Sequence, residues 1–172
     1  SLLSSITLQE LNSTINSLHL HSSPGLSQIS YKQIKKWPEK LLTFITSCFN
    51  SIIKNPKEQI PSILKYSKLI LLHKNGCSLN SLNYRPIALQ ETLFKLFCNV
   101  INKRLLNILI NYNIISEEQS GFTPEKSIGY NLLKTILTIE NAIRFSRPLF
   151  ILTIDIKKAF DSIPICVYPK LL

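Results

Sequence analysis

The chain holds only two aspartates, and both stand in the block Ile154-Asp155-Ile156-Lys157-Lys158-Ala159-Phe160-Asp161. They follow Leu149–Ile154, an apolar run bounded by Pro148 that reads as a buried strand. A carboxylate at the end of such a strand costs free energy unless a cation offsets it. A divalent metal is one such cation, and it prefers hard oxygen ligands. Lys157, Lys158 or a helix N-terminus is another, and this ion-pair reading stands beside the metal one.

Lys74 and Arg85 are the next candidates. If residues 66–74 and 83–88 pair as a hairpin across Asn75-Gly76, both side chains share a face. A point charge beside a guanidinium fork suits a polyphosphate; two solvated surface charges are the plainer reading. Lys32, Lys35, Lys36 and Lys40 surround Trp37, while Lys103-Arg104 and Arg144 with Arg147 form smaller groups. Basic residues beside aromatics suit a nucleic-acid backbone and its bases, and also an ordinary solvated helix face.

The composition points the same way. The 172 residues carry 20 Lys and Arg against 10 Asp and Glu, a net charge of +10, which favours a polyanionic partner. With 45% hydrophobic residues the chain can bury a core. No apolar run approaches a membrane span and no secretory signal is visible. Cys48, Cys77, Cys98 and Cys166 lie far apart, with no pair at zinc-site spacing, so zinc and a disulfide scaffold are both poor readings and free thiols are the expectation. His19 and His21 have no acid or Cys at ligand spacing, and there is no glycine-rich phosphate loop. There is no Met, even at position 1, so a piece of a longer reading frame is expected.

The elements that must position these groups are readable from periodicity. Thr7-Leu8-Gln9-Glu10 has capping-box form and opens a helix over residues 7–20. Ser30 and Gln33 open a short helix that ends before Pro38, and residues 39–54 form a third. A strand follows at 66–73, a turn at Asn75-Gly76 and a second strand at 84–88. Helices at 91–112 and 127–145 flank a loop at 120–124. This is an α+β chain, helix-heavy at its front.

Taken in order, Leu69–Gly76, Asn83-Tyr84-Arg85-Pro86-Ile87-Ala88-Leu89, Asn102-Lys103-Arg104-Leu105, Gln119-Ser120-Gly121-Phe122 and Ile154–Ser162 resemble the reverse transcriptase of non-LTR (LINE-type) retrotransposons, and more distantly that of group II introns. The resemblance runs from about Pro24 onward; Pro24-Gly25 with Ile29 resembles the family's entry motif before the fingers. It implies the fingers and first palm strand of a right-hand polymerase: a helical lead-in over 1–65, fingers over 66–148 and the start of the palm over 149–172. Asp155 then matches the first catalytic aspartate, which with the Ile156 carbonyl binds Mg²⁺ or Mn²⁺. Phe160 matches the aromatic steric gate, and Lys74 and Arg85 the residues holding the triphosphate. Gln119 and Gly121 match the nucleotide pocket loop, and Asp161 fixes a local turn. Lys32, Lys35, Lys36, Lys103, Arg104 and Lys126 are candidate nucleic-acid contacts. The implied partners are an RNA template, a DNA primer and deoxynucleoside triphosphates, in a nuclear or cytoplasmic ribonucleoprotein.

Two departures and one truncation mark this chain. Family members usually carry an acid soon after Pro-Gly, whereas Leu26-Ser27-Gln28 has none. Many carry Arg-Pro-Gly-Arg after the Gly-Phe pair, where this chain has Thr123-Pro124-Glu125-Lys126. The sequence reaches Leu172 without the adjacent aspartate pair of the later palm hairpin, so as given it is expected not to polymerise. A fragment of a longer polymerase is the leading expectation. A nucleic-acid-binding remnant of a decayed element, or a remnant without function, are the rivals.

Overall fold

A computed structural model of the chain describes residues 2–55, 60–124 and 126–156. The described residues up to Ile115 form one compact unit and those from Ser116 onward a second.

The first unit is a helical cluster bearing a β-hairpin. Helix α1 spans Leu8–Asn16, α2 Tyr31–Ile34, α3 Glu39–Lys54 and α4 Ser62–Lys65. Strands β1 (Ser67–His73) and β2 (Tyr84–Gln90) follow, then α5 (Thr92–Asn111). The core is Leu11 and Ile15 of α1, Tyr31 and Ile34 of α2, Leu42, Phe49 and Ile52 of α3, and Leu96 and Val100 of α5. These positions recur three, four or seven residues apart, so each helix turns one stripe inward. The Phe49 and Phe97 rings meet at 5.2 Å and 58°. Asn50 clamps the lead-in to α1: its Oδ1 accepts the Ile6 N–H at 2.6 Å and its Nδ2 donates to the Ile6 carbonyl at 3.0 Å.

Helix α1 stops at Asn16, short of the expected residue 20. The Ser17 hydroxyl donates to the Thr14 carbonyl at 2.8 Å, taking an acceptor that a continuing helix would use. The capping box is half made. Thr7 Oγ1 accepts the Glu10 N–H at 3.2 Å, but the Glu10 carboxylate is drawn away to Arg104. At α2 the box is complete, with Gln33 Oε1 accepting the Ser30 N–H at 2.7 Å.

The hairpin pairs Ser67 with Gln90 through His73 with Tyr84, antiparallel. Lys74 N–H donates to the Asn83 carbonyl at 2.8 Å, which continues the ladder one pair further. Hydrogen-bonded pairs alternate along an antiparallel ladder, so Leu72–Arg85 shares that pair's parity and Leu71–Pro86 does not. Pro86, which has no N–H, therefore sits where its nitrogen faces outward. Every β1 residue is exposed.

In the second unit α6 spans Ile128–Arg144 and contains no buried residue. The loop before it is braced: Ser120 Oγ donates to Asn131 Oδ1 at 3.0 Å, and Lys134 Nζ meets Glu118 at 2.6 Å. Residues 149–154 depart from expectation. They carry no strand assignment and lie exposed, Phe150 at 94% and Leu152 at 83%. A strand exists only when a neighbour takes its N–H and C=O groups, and among the described residues the sheet contains β1 and β2 alone. No described helix is long and apolar enough to cross a membrane.

Candidate functional site

The hairpin register settles the first pairing. Arg85 stands directly opposite Leu72, and Lys74 lies two residues beyond Leu72, so side-chain alternation puts Lys74 and Arg85 on one face. Both are exposed. The loop that joins the strands is held by its own polar groups. Asn83 Nδ2 donates to the Cys77 carbonyl at 2.9 Å, Tyr84 Oη to the Ser78 carbonyl at 2.9 Å, and Asn80 Oδ1 accepts the Leu82 N–H at 3.0 Å. Gly76 turns with φ +85°, and a Cβ there would lie 2.9 Å from Asn83 Nδ2. That conformation and that contact both favour glycine. The two cations thus stand on a braced frame, as an anion-holding pair needs.

The lysines in and just after α2 are displayed by packing. Tyr31 and Ile34 are buried three residues apart, which leaves Lys32, Lys35 and Lys36 outward and exposed, with Lys40 exposed at the start of α3. Trp37 packs half-buried against the core beneath them. A cluster of exposed cations over an aromatic suits a phosphate backbone.

Arg104 does not belong with them, contrary to its assignment as a nucleic-acid contact. Nε and Nη2 grip Glu10 at 2.6 and 2.7 Å, Nη1 donates to the Leu2 and Ser4 carbonyls, and Nη2 also reaches the Ser5 carbonyl at 3.2 Å. All five N–H donors of the guanidinium are spent inside the fold, and its side chain is 12% exposed. The hydrogen bond and charge of Arg104 hold the Glu10 carboxyl below the usual carboxylate range, and Glu10 raises Arg104 in turn. Lys103 is also engaged, donating to Ser17 Oγ at 2.7 Å at the end of α1. Lys126 donates to the Glu117 carbonyl at 2.6 Å and so braces its own loop.

In that loop Gln119 Nε2 donates to the Gly121 carbonyl at 2.9 Å, and Phe122, at φ 59°, is 94% exposed. Asp155 and Ile156 lie in no helix or strand and are exposed. Phe160, Asp161, Lys157 and Lys158 lie outside the described residues, as does Cys166; Cys48, Cys77 and Cys98 are free thiols. The Asp155 carboxylate and Ile156 carbonyl are hard oxygens of the kind a divalent cation takes. Among the described residues no group of three or more metal-ligating side chains exists, so this donor set is insufficient to hold a metal pair.

One buried carboxylate escaped the sequence reading. Glu91 is 3% exposed and faces Ser27, a residue distant in sequence. Burial pushes its carboxyl upward, but the Ser27 hydroxyl, the Ser27 and Leu26 N–H groups and the charge of Lys95 outweigh burial and leave it below the usual range. Glu91 supplies from the start of α5 a carboxylate to the loop whose own acid is missing. Its only sequence signal is an acid at a helix N-terminus with Lys95 four residues on, a pattern that ordinarily means an exposed pair.

The sequence comparisons point to the same family. The family profile described as reverse transcriptase (RNA-dependent DNA polymerase) matches residues 72–166. The chain is 28% identical over 162 residues to a probable RNA-directed DNA polymerase from transposon BS of Drosophila melanogaster, covering 92% of this chain and 17% of that protein. It is 27% identical over 162 residues to the RNA-directed DNA polymerase from mobile element jockey of the same fly, covering 94% and 18%. A probable RNA-directed DNA polymerase from transposon X-element, again of that fly, is 28% identical over 149 residues, covering 83% and 16%. The chain spans about a sixth of the length of these relatives. Because the profile covers more than half of its residues, the chain belongs to the reverse transcriptase (RNA-dependent DNA polymerase) family.

Proposed function

We propose that this chain is the fingers and first palm segment of a retrotransposon RNA-directed DNA polymerase, working on an RNA template, a DNA primer and deoxynucleoside triphosphates. The observation that carries the reading is Lys74 and Arg85 on one face of a braced hairpin, inside the matched family region. They neutralise the triphosphate; Gln119 and Gly121 of the second unit stand at positions where the family shapes its nucleotide pocket, and Phe160 at the one that excludes a 2′-hydroxyl. The exposed α2 lysines carry template or primer phosphates. Asp155 and the Ile156 carbonyl offer two oxygens toward Mg²⁺ or Mn²⁺, with the remaining ligands coming from residues other than those described. The work of such a protein is intracellular, in a ribonucleoprotein with its template.

The test is triphosphate binding by the purified chain, followed with a fluorescent dATP analogue. Lys74→Ala and Arg85→Ala are each expected to weaken it by about tenfold, one charge-assisted contact apiece. Wild-type binding that neither substitution changes would remove the hairpin from the nucleotide site. Primer extension by the complete reading frame carrying Asp155→Asn is expected to be lost, and retained synthesis refutes the role of Asp155.

A further inference from the structure

The segment between α1 and α2, residues 22–30, is fastened to the first turn of α5 by several independent groups. Glu91 accepts the Ser27 N–H at 2.9 Å on one oxygen and the Ser27 hydroxyl on the other. Thr92 Oγ1 donates to the Ile29 carbonyl. Lys95 Nζ donates to the Ser23 carbonyl at 2.6 Å and stands 5.5 Å from the centre of the Tyr31 ring. The approach is backbone against backbone: a Cβ on Gly25 would fall 2.7 Å from Glu91 Cα and 2.8 Å from the Gln90 carbonyl oxygen.

The place of this fastening matters. Ser27 shortly precedes Ser30, the cap of α2, whose next residues carry Lys32, Lys35 and Lys36. Glu91 directly follows Gln90, the last residue of β2, which also carries Arg85. Ser27 therefore lies at the root of the lysine helix and Glu91 at the root of the hairpin.

We propose that Glu91 is a positioning residue: it ties the 22–30 strap, and through it α2, to the end of β2, so that the lysines in and just after α2 and the cations of the hairpin act as one rigid polyanion-binding surface. This rests on reading those cations as nucleic-acid and triphosphate contacts. The chemistry asks for a carboxylate because Ser27 brings two donors. A carboxylate offers two acceptor oxygens, glutamine one, and methionine fills the same space with neither.

The experiment uses the purified chain with Glu91→Gln and Glu91→Met. Hydrogen exchange over residues 24–36 is the first reading. Leaving a buried donor unmet is worth about 5- to 150-fold in exchange rate, so Glu91→Met is expected to accelerate the strap by that factor, Glu91→Gln by much less, and neither to change α3. Equal behaviour of the two variants shows that Glu91 only fills space and overturns the proposal. Should Glu91→Met not fold, Ser27→Ala removes one donor instead; faster exchange in α2 is expected, and unchanged exchange overturns the tie. The second reading is affinity for an RNA–DNA heteroduplex. Replacing Lys32, Lys35 and Lys36 by Ala is expected to cost about tenfold in the wild-type background and less than about threefold beside Glu91→Met. The same loss in both backgrounds overturns the coupling. If the wild type binds no heteroduplex, the polyanion surface falls with the proposed function, while the exchange measurement still decides whether Glu91 ties the strap.

Discussion

Replacing Arg104 tests how the fold has used a residue whose type suggests nucleic acid. Arg104→Ala deletes a bidentate contact with Glu10 and the donors to the carbonyls of Leu2, Ser4 and Ser5. The pair is half-sheltered, with side chains 12% and 29% exposed, so neither a surface-pair nor a fully buried value applies. Charged hydrogen bonds are worth about 1.5–3 kcal/mol each, but Glu10 and the freed carbonyls regain some water. The expected loss of stability is therefore about 2–4 kcal/mol, above that of surface pairs and at or below that of buried ones. Arg104→Lys keeps the charge but not the planar fork, and should recover less than half of it. Urea unfolding followed by far-ultraviolet circular dichroism measures both variants. The pH dependence has a definite sign. The Glu10 carboxyl is lowered in the folded state, so its contribution is present above the unfolded value and is lost as pH falls through the folded one. Arg104→Ala should abolish that part of the acid sensitivity. If Arg104→Ala leaves stability unchanged and weakens heteroduplex binding instead, the guanidinium serves the surface and the structural reading fails.

Two further outcomes follow from the same geometry. Gly25→Ala places a Cβ 2.7 Å from Glu91 Cα, and two backbones cannot part without cost; a loss of about 1–3 kcal/mol is expected in thermal unfolding, and no loss would mean the strap is loosely held. Binding of a heteroduplex should weaken with salt, and replacing Lys32, Lys35 and Lys36 by Ala should reduce the logarithmic salt slope by about 2–3, as three phosphate contacts require; an unchanged slope would take α2 out of the interface.

What the sequence determined by itself is what short-range physics controls. Helix α3 begins at Glu39, after Pro38, and ends at Lys54, before Asn55-Pro56, because proline stops are local events. The Ser30–Gln33 cap and the alternation that sets Lys74 beside Arg85 are equally local, requiring only neighbours along the chain or across one turn. The order of the motif blocks was also legible, and it was enough to reach the family. Tertiary structure decided which charges are free. Lys103 and Arg104 read alike with Lys32 and Lys35 as basic residues on a helix, but the partners of the first two, Ser17 and Glu10, lie far upstream in sequence, and α1 packs beside α5. The same holds for Ser27 and Glu91. It also explains residues 149–154: an apolar run has the pattern of a buried strand, yet pairing and burial come from a neighbouring strand and a covering layer, and neither is encoded in the run itself.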